Sequence, residues 1–530
     1  MAKSTPKRQI ALRHSLPSAA PAHLALAEGL ELIGRSAEAI ACYEAAIASD
    51  PASLHARLGL ARMMLTLGRA AEAFQRADQA LLIDMDSAEG WRLIAESLEA
   101  LGEAELAMRA YERALSLQPH DAGLNARLAR LYEVLDRPFD AAARYQRALA
   151  SEGASAAARV EAHVGLSGLF GRSRQFEQAR RHAAAALKLA PGHRGAHQNL
   201  AAVSDTQGLA EEAEAHRKRA YCGAPLIVTR AAHPRRRVLT LASAARANAP
   251  DRYLIPSTRY DRLLWFIAYA DEVAEPGQDY DVAFNAIADA DAASPLHDRL
   301  TAFAARCERP VLNPPERIMR TARDRVGRLF EGVADLVVPQ TRRVRVAADL
   351  DGLDAGGAWL LRPLGSHGGE RLQKLALAEV AAGLNGREHY LTAFRDFRSG
   401  DGFYRKYRMF FVDRAPYPYH LAIHDNWLVH YQASRTPGSP ELIAEERRYL
   451  EAPAQALGER AYRAICEIGR RLDLDFAGAD FTVLPDGRAL LFEANATMLA
   501  HPESADGPLA HKNPFIARIF EAFQTRLEGV

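Results

Sequence analysis

Cysteine is scarce in this chain of 530 residues, and long apolar runs are absent. The four cysteines, Cys42, Cys222, Cys307 and Cys466, lie far apart and form no Cys-x-x-Cys pair. This spacing excludes a dense disulfide framework and a zinc ribbon, and it fits a reducing cytoplasm. No apolar run reaches the roughly 18 residues that a transmembrane helix requires, so the sequence predicts a protein outside the membrane.

A large excess of charge of either sign is also missing. The chain has 67 basic and 66 acidic residues, a net charge of +1, which argues against a dedicated nucleic-acid binder. Lysine occurs only seven times against 60 arginines, so we expect arginine to fill positions where lysine often binds phosphate. Residues 1–19 are basic without a long apolar core, which predicts a flexible tail rather than a secretory signal and hence a cytoplasmic protein.

Residues 20–227 are rich in Ala, Leu, Glu and Arg, and they repeat with a period of 34 residues. The third unit, residues 88–121, shows the pattern best: Trp91 lies on a first helix, Gly102 marks a turn and Tyr111 lies on a second helix. This pattern resembles the tetratricopeptide repeat (TPR). About six such units predict an all-α solenoid.

The resemblance implies a groove that docks a peptide or protein partner. A spacer or a dimerisation arm is the alternative for the same repeats.

Periodicity changes after a basic linker, residues 228–236. Short apolar runs at 236–243, 280–287, 309–315 and 334–344 alternate with helical stretches, which predicts an α/β region. Aromatic strands follow from about residue 357, then a helix over 455–473, a hairpin and a last helix over 514–527. We therefore expect a first α/β domain over 237–320 and a second over 321–530.

The hairpin ADFTVLPDGRALLFEANATM, residues 479–498, carries two carboxylates and an amide. If Asp486 and Gly487 form a two-residue turn, Asp480 faces Glu493 across the strands, and Asn495 lies on the same face. Like charges in this position repel unless a cation lies between them. Their oxygens suit Mg²⁺ or Mn²⁺. The alternative is that arginines from neighbouring strands balance both carboxylates.

Two further segments supply cations and a glycine-rich loop. The run LLRPLGSHGGE, residues 360–370, places Arg362 at the end of a strand, before a loop whose backbone suits phosphate oxygens. The loop residues concerned are Gly365, Ser366, Gly368 and Gly369. In GFYRKYRMFFVD, residues 402–413, strand alternation puts Lys406 and Arg408 on one face, which suits a triphosphate or acyl phosphate.

Together these segments resemble the ATP-grasp superfamily, and most closely its glutathione-synthetase-like branch, over about residues 237–530. The resemblance implies ATP and Mg²⁺ (or Mn²⁺) as cofactors, and it implies a carboxylate–amine or carboxylate–thiol ligase that acts through an acyl phosphate. The implied metal ligands are Asp480, Glu493 and Asn495. Arg362 matches a nucleotide-binding lysine of the family, and Arg323 or Arg325 matches the other.

The resemblance implies further roles. Arg408 would stabilise charge on the transferred group, Arg435 would contact the substrate carboxylate, and Asp396 stands in the hinge region where the family carries a glutamate. His424, His430 and His501 are further candidates, although an ordinary structural role is the alternative for each. The arginines at lysine positions leave open a non-catalytic TPR adaptor with a degenerate, nucleotide-sensing module, and a kinase on the same fold is a third possibility.

Overall fold

A computed structural model describes residues 20–530, apart from 232, 246–247, 271–275, 278, 367–368, 370 and 430–433. The chain divides after Ala220 into two units. The first is helical and the second contains all the strands that the structure describes. The predicted order, a helical repeat array followed by a region with sheets, is therefore confirmed.

Paired helices build the first unit, and each helix from α1 to α10 contacts the next one along the chain. The alanines at one repeated position of each second helix are fully buried, because only a methyl group fits where neighbouring helices meet. These alanines are Ala39, Ala73, Ala107, Ala141, Ala179 and Ala213. The helices are α1 (Ala20–Leu32), α2 (Ser36–Ser49), α3 (Leu54–Thr66), α4 (Ala70–Leu81), α5 (Ala88–Leu101), α6 (Ala104–Leu117), α7 (Ala122–Val134), α8 (Pro138–Ala150), α9 (Ala156–Arg172), α10 (Phe176–Leu189), α11 (Arg194–Gln207) and α12 (Ala210–Tyr221).

Three sheets organise the second unit. The strands are β1 (Leu226–Thr229), β2 (Arg236–Ala242), β3 (Tyr260–Phe266), β4 (Val282–Asn285), β5 (Val311–Leu312), β6 (Leu336–Val337), β7 (Thr341–Val344), β8 (Ala358–Pro363), β9 (Gln373–Ala376), β10 (His389–Ala393), β11 (Tyr404–Val412), β12 (Ala415–His424), β13 (Phe476–Val483) and β14 (Ala489–Asn495). The first sheet has the order β1-β3-β2-β4-β5, with β2 to β5 parallel and β1 antiparallel to β3. The second, β7-β10-β8-β9, is antiparallel. The third, β12-β11-β13-β14-β6, is antiparallel except for β6.

Short helices connect these sheets, and the last helix joins two of them. Phe523 in this helix packs against Phe284 of β4 and Phe476 of β13, with ring centroids 5.0 and 5.7 Å apart. The first and third sheets therefore share one buried core. The helices are α13 (Asp251–Leu254), α14 (Ala290–Ala293), α15 (His297–Arg306), α16 (Pro315–Met319), α17 (Val326–Leu329), α18 (Leu377–Gly383), α19 (Pro440–Glu451), α20 (Pro453–Leu457), α21 (Glu459–Leu472) and α22 (Asn513–Glu528).

Two boundaries differ from the sequence prediction. The predicted repeat end at 227 and linker at 228–236 overlap β1, which pairs with β3 and belongs to the second unit. The predicted helix over 455–473 is two helices, because Gly458 between them takes a φ of +79°.

Candidate functional site

The β13–β14 hairpin places two carboxylates opposite each other, as the sequence predicts. Asp480 pairs with Glu493, and Gly478 pairs with Asn495 two positions away. The register shifts by one residue between Asp480 and Phe481, so Phe492 is an extra residue in β14, a β-bulge. The pairing of the two carboxylates is therefore confirmed.

The turn of this hairpin is not the predicted two-residue turn. Leu484 N–H donates to the Arg488 carbonyl at 2.8 Å, so three residues, Pro485, Asp486 and Gly487, form the turn. Gly487 has a φ of +81°, which glycine adopts without strain. The bulge in β14 compensates for this extra turn residue.

Asp480 is held by two cations of β11. Arg408 donates from Nε and Nη2 to the two oxygens of Asp480, at 2.6 and 2.9 Å, and Lys406 Nζ lies 3.4 Å from Oδ2. Burial disfavours the charged carboxylate, but Arg408 and Lys406 outweigh burial and hold the pKa of Asp480 well below its usual range. The predicted shared face of Lys406 and Arg408 is therefore the face that carries Asp480.

Glu493 is held by a third cation, Arg323, which forms an ion pair with Oε1. Asn495 Nδ2 donates to the same oxygen at 2.6 Å. Burial opposes ionisation of Glu493, but Arg323, with Arg362 nearby, lowers its pKa to about 2. Glu493 is therefore a carboxylate at neutral pH.

Arg362, at the end of β8, is a buried cation of a different kind. It is 8% exposed, and its guanidinium donates to the hydroxyl of Ser366, 3.2 Å away, and to the Ser366 carbonyl. Among the described residues, no carboxylate forms an ion pair with it within 4.0 Å. Burial and repulsion by Arg323 lower the pKa of Arg362 to about 10, so it remains charged at neutral pH.

These residues line one cavity of about 710 Å³ between the second and third sheets. Its volume lies within the range of small-molecule sites. Arg362 and Thr392 contribute from the second sheet, and Lys406, Asp480 and Glu493 contribute from the third. Five described cations line the cavity against two carboxylates, which leaves an excess of three positive charges. The cations are Arg323, Arg362, Arg395, Lys406 and Arg408.

Aromatic and apolar side chains also line the cavity. Phe394 packs edge to face against Trp427, with ring centroids 5.8 Å apart, and Phe397 lies 4.8 Å from Phe492. Leu490 joins the buried cluster that Phe397 forms. The cavity lining thus combines cationic and aromatic side chains, which suits a ligand that has both a planar ring and an anionic group.

The predicted metal ligands are engaged by neighbouring side chains at Asp480, at Asn495 and at one of the two oxygens of Glu493. Arg408 occupies both oxygens of Asp480, and Arg323 and Asn495 share one oxygen of Glu493. Asn495 Oδ1 accepts from Thr497 N–H and from its hydroxyl, at 3.0 and 2.9 Å. Across the described residues, no group of three or more His, Cys, Asp or Glu side chains comes together as a metal site.

Six described residues that the sequence predicts for the site do not line the cavity: Gly365, Ser366 and Asn495, and three exposed charged residues. Arg325 and Asp396 are exposed, and Asp396 accepts from the Arg398 backbone N–H at 3.1 Å. Arg435 is exposed and pairs with Asp425 at 3.1 Å. All three charged side chains face solvent. In the segment that contains Arg323 and Arg325, Arg323 is therefore the cation that lines the cavity.

The remaining predicted residues divide between the cavity and other positions. Gly369 and His501 line it, and Gly369 takes a φ of +77°. Gly365 has a φ of +67° in the turn after β8, whereas His424 accepts from Asn426 N–H at 2.9 Å and does not line the cavity. Gly368 and His430 lie outside the described residues.

Sequence reasoning missed the contribution of β12 and of the segment after it. Tyr419, His420 and Trp427 line the cavity, and His420 pairs with Arg408 across β11 and β12. Burial and the Arg408 charge lower the pKa of His420 well below its usual value, so it is neutral. The sequence signal that could have indicated these residues is the aromatic run PYPYHLAIH, which closely follows the strand that carries Lys406 and Arg408.

A second cavity, of about 730 Å³, lies in the helical unit. It is lined by the first helices of three successive repeats, α7, α9 and α11, and bare glycines form part of its surface: Gly165, Gly168 and Gly195. Arg130 and Arg172 stand at its rim, and Arg172 pairs with Glu133. This cavity lies within the repeats for which a docking groove is predicted.

Comparison with protein families supports the repeat assignment. Two family models, each described as tetratricopeptide repeat, match residues 32–96 and 88–131. The region 32–131 therefore contains TPR repeats, which indicates protein–protein interaction. None of the curated proteins compared with the chain matches it.

The solved structures that resemble the chain match it at low identity and over less than half of its length. The Cut9–Hcn1 hetero-tetramer of the APC/C is 18% identical with a TM-score of 0.36, over 39% of this chain and 40% of that one. PilF of Pseudomonas aeruginosa is 18% identical with a TM-score of 0.34, over 37% and 88%. TTC0263, a TPR protein of Thermus thermophilus, is 22% identical with a TM-score of 0.29, over 37% and 100%. This chain thus spans less than half of the Cut9–Hcn1 chain that it matches.

The described part of the chain has helices of moderate length only. None of them has both the length and the apolar character needed to cross a bilayer.

Proposed function

We propose that the second unit binds ATP in the cavity between its second and third sheets and acts as an ATP-dependent carboxylate–amine ligase. Arg362 is the observation that carries this proposal. A buried guanidinium without a carboxylate partner is costly unless a ligand supplies the negative charge. A triphosphate supplies it, and guanidinium groups bind phosphate oxygens through paired hydrogen bonds.

The aromatic residues of the cavity lining support the choice of a nucleotide. Phe394 and Trp427 offer planar apolar surfaces for a base, while Arg395 and the Arg362 guanidinium line the same space. The resemblance to ATP-grasp proteins adds the same expectation from the sequence.

The reaction that we propose has two steps. An oxygen of the substrate carboxylate attacks the γ-phosphorus of ATP, the bond to the β-phosphate oxygen breaks, and ADP leaves. An amine then attacks the carbonyl carbon of the acyl phosphate, loses a proton and displaces inorganic phosphate. Arg362 and Arg408 would hold the charged phosphoryl oxygens, and the sheets on either side would exclude water.

The TPR repeats give the proposed ligase a place to dock its peptide or protein substrate. The glycine-lined cavity on α7, α9 and α11 is the surface we assign to this docking. A solenoid groove binds an extended segment on its own surface.

The test is ATP binding measured by calorimetry, for the wild-type chain and for Arg362→Met. We expect the variant to lose at least about tenfold in affinity, since a charge-assisted contact to phosphate contributes more than about 1.4 kcal/mol. Arg460→Met is the matched control, because Arg460 is an exposed arginine paired with Asp335 at 2.6 Å. Equal losses in both variants, or no ATP binding by the wild type, would reject the proposal.

A second candidate function is a TPR adaptor that senses nucleotide without turning it over. The pairing of both hairpin carboxylates with arginine favours it. ADP release in a screen of carboxylates and amines separates the two: ADP and phosphate together support the ligase, and tight ATP binding without ADP in any combination supports the adaptor.

A further inference from the structure

The hairpin carboxylates have cationic partners already. Asp480 has Arg408 and Lys406, and Glu493 has Arg323. A divalent cation bound to Asp480 would have to displace the Arg408 guanidinium from both carboxylate oxygens in a buried space. Displacement of an arginine fork from a carboxylate leaves a buried cation unpaired, which is unfavourable.

The cationic residues outnumber the carboxylates even after this pairing. Five cations against two carboxylates line the described part of the cavity, an excess of three. That excess matches a polyphosphate without any bound metal. Phosphate oxygens also compete well for guanidinium groups, because both form paired charge-assisted hydrogen bonds.

We propose that Asp480 and Glu493 are internal counter-ions, which hold Arg408 and Arg323 until a polyphosphate displaces them, and that the site takes the polyphosphate without a resident metal ion. The inference rests on the proposed function, because it concerns the same cavity. It takes up the alternative to metal binding that the sequence left open, in which arginines balance the two carboxylates.

The counter-ion role and the metal-ligand role predict opposite changes in ATP affinity when one carboxylate is neutralised. If Glu493 is a counter-ion, Glu493→Gln removes a like charge beside the phosphates and frees Arg323, so ATP binds more tightly. If Glu493 is a metal ligand, the same change removes a ligand and Mg-ATP binds more weakly. Asp480→Asn makes the same distinction through Arg408.

The matched control is Glu445→Gln. Glu445 pairs at 2.6 Å with Arg405 of β11, the strand that carries Arg408, but neither Glu445 nor Arg405 lines the cavity. Glu445→Gln neutralises a carboxylate beside an arginine but changes no residue that lines the cavity. Thermal melts of each full-length variant establish that it folds.

The experiment measures ATP binding to the full chain in EDTA and again with Mg²⁺, and it measures Mn²⁺ binding without nucleotide. We expect ATP binding in EDTA, about tenfold tighter in Glu493→Gln and unchanged in Glu445→Gln, since close charges couple by at least that factor. We expect no Mn²⁺ binding by the protein alone.

Each other outcome is decisive. ATP binding that requires Mg²⁺ and weakens in Glu493→Gln overturns the inference and leaves the proposed function standing. ATP binding in EDTA that Glu493→Gln leaves unchanged or weakens also overturns it. Absence of ATP binding with and without Mg²⁺ rejects the proposed function and the inference together.

Discussion

The ring of Tyr145 in α8 packs directly against Gly165 in α9, the first helix of the next repeat. A Cβ at position 165 would overlap the tyrosine ring. The Tyr145 hydroxyl donates to Glu133 at 2.8 Å, so the ring is anchored at its far end and cannot move aside. The same arrangement occurs in the first repeat, where a Cβ at Gly59 would overlap the ring of Tyr43.

Gly165→Ala is therefore expected to destabilise the helical unit. Overpacking of this kind costs about 1–3 kcal/mol of unfolding free energy. Gly168→Ala is the matched control on the same helix: its Cβ would lie 3.4 Å from Arg172 Nη1, an ordinary contact, and it gains about 1 kcal/mol of helix propensity. Urea unfolding of the full chain measures both, and a Gly165→Ala variant as stable as Gly168→Ala would contradict the packing argument.

Stability of the fifth repeat is expected to fall in mild acid. His163 Nδ1 lies 3.0 Å from His182 Nδ1, so both nitrogens cannot carry protons. Burial lowers the pKa of His163, and Arg159 lowers it further; burial, His163 and Arg181 lower the pKa of His182. The folded state therefore binds fewer protons than the unfolded state below about pH 6.5, and the unfolding free energy decreases as the pH falls through that range.

Hydrogen exchange of the full chain at about pH 7.5 and about pH 5.5 checks this expectation. Opening free energies in α9 and α10 should fall more than those in α5 and α6, where Trp91 and Ala110 occupy the equivalent positions. A His163→Gln, His182→Gln double variant should remove the difference. Equal losses in both helix pairs would show that the histidine pair is not responsible.

Short-range patterns in the sequence were enough to predict the repeats and the carboxylate pair. The 34-residue period and the alternation in the hairpin depend on neighbouring residues alone. The hairpin also shows the limit: the prediction placed Pro485 opposite Arg488 and omitted the bulge at Phe492, and the two differences cancel at Asp480 and Glu493.

The family resemblance brought distant segments to one site, but the individual side-chain contacts between those segments were beyond sequence reasoning. Nothing near Glu493 in the chain indicates that Arg323, 170 positions away, pairs with it. Arg435 and Asp396 are near cavity residues in sequence, yet both are exposed, because side-chain direction in loops follows from tertiary structure. Strand β3 was not predicted either. It lies between two other strands and is largely buried on both faces, so its sequence shows no strict alternation of polar and apolar residues.

Arg362→Met and Arg408→Met are expected to have different effects on stability. Arg362 forms no ion pair within 4.0 Å with a described carboxylate and only lowers the pKa of Glu493 from a greater distance, so its replacement by an apolar side chain should cost little stability. Arg408→Met leaves Asp480 buried with only Lys406 at 3.4 Å, and it should cost about 3 kcal/mol. Thermal unfolding with and without ATP measures both, and both variants should lose ATP binding.

A stability loss in Arg362→Met as large as that in Arg408→Met would contradict this expectation. Such a loss would mean that Arg362 stabilises the folded chain and is not a cation whose main partner is a bound ligand.

Asn313 joins the first sheet to the third through one buried side chain. Its Oδ1 accepts from the backbone N–H groups of Asp475 and Phe476, at 2.9 and 3.0 Å, and its Nδ2 donates to the Phe476 carbonyl at 2.9 Å. Its φ of +52° lies in the left-handed region, which asparagine tolerates better than alanine.

Asn313→Gly removes the hydrogen bonds alone and should cost about 3 kcal/mol, because three buried backbone groups lose their partner. Asn313→Ala adds left-handed strain of about 1 kcal/mol, so it should be the less stable variant. Chemical unfolding of both full-length variants gives the two contributions separately, and a glycine variant with wild-type stability would show that water replaces the asparagine side chain in that junction.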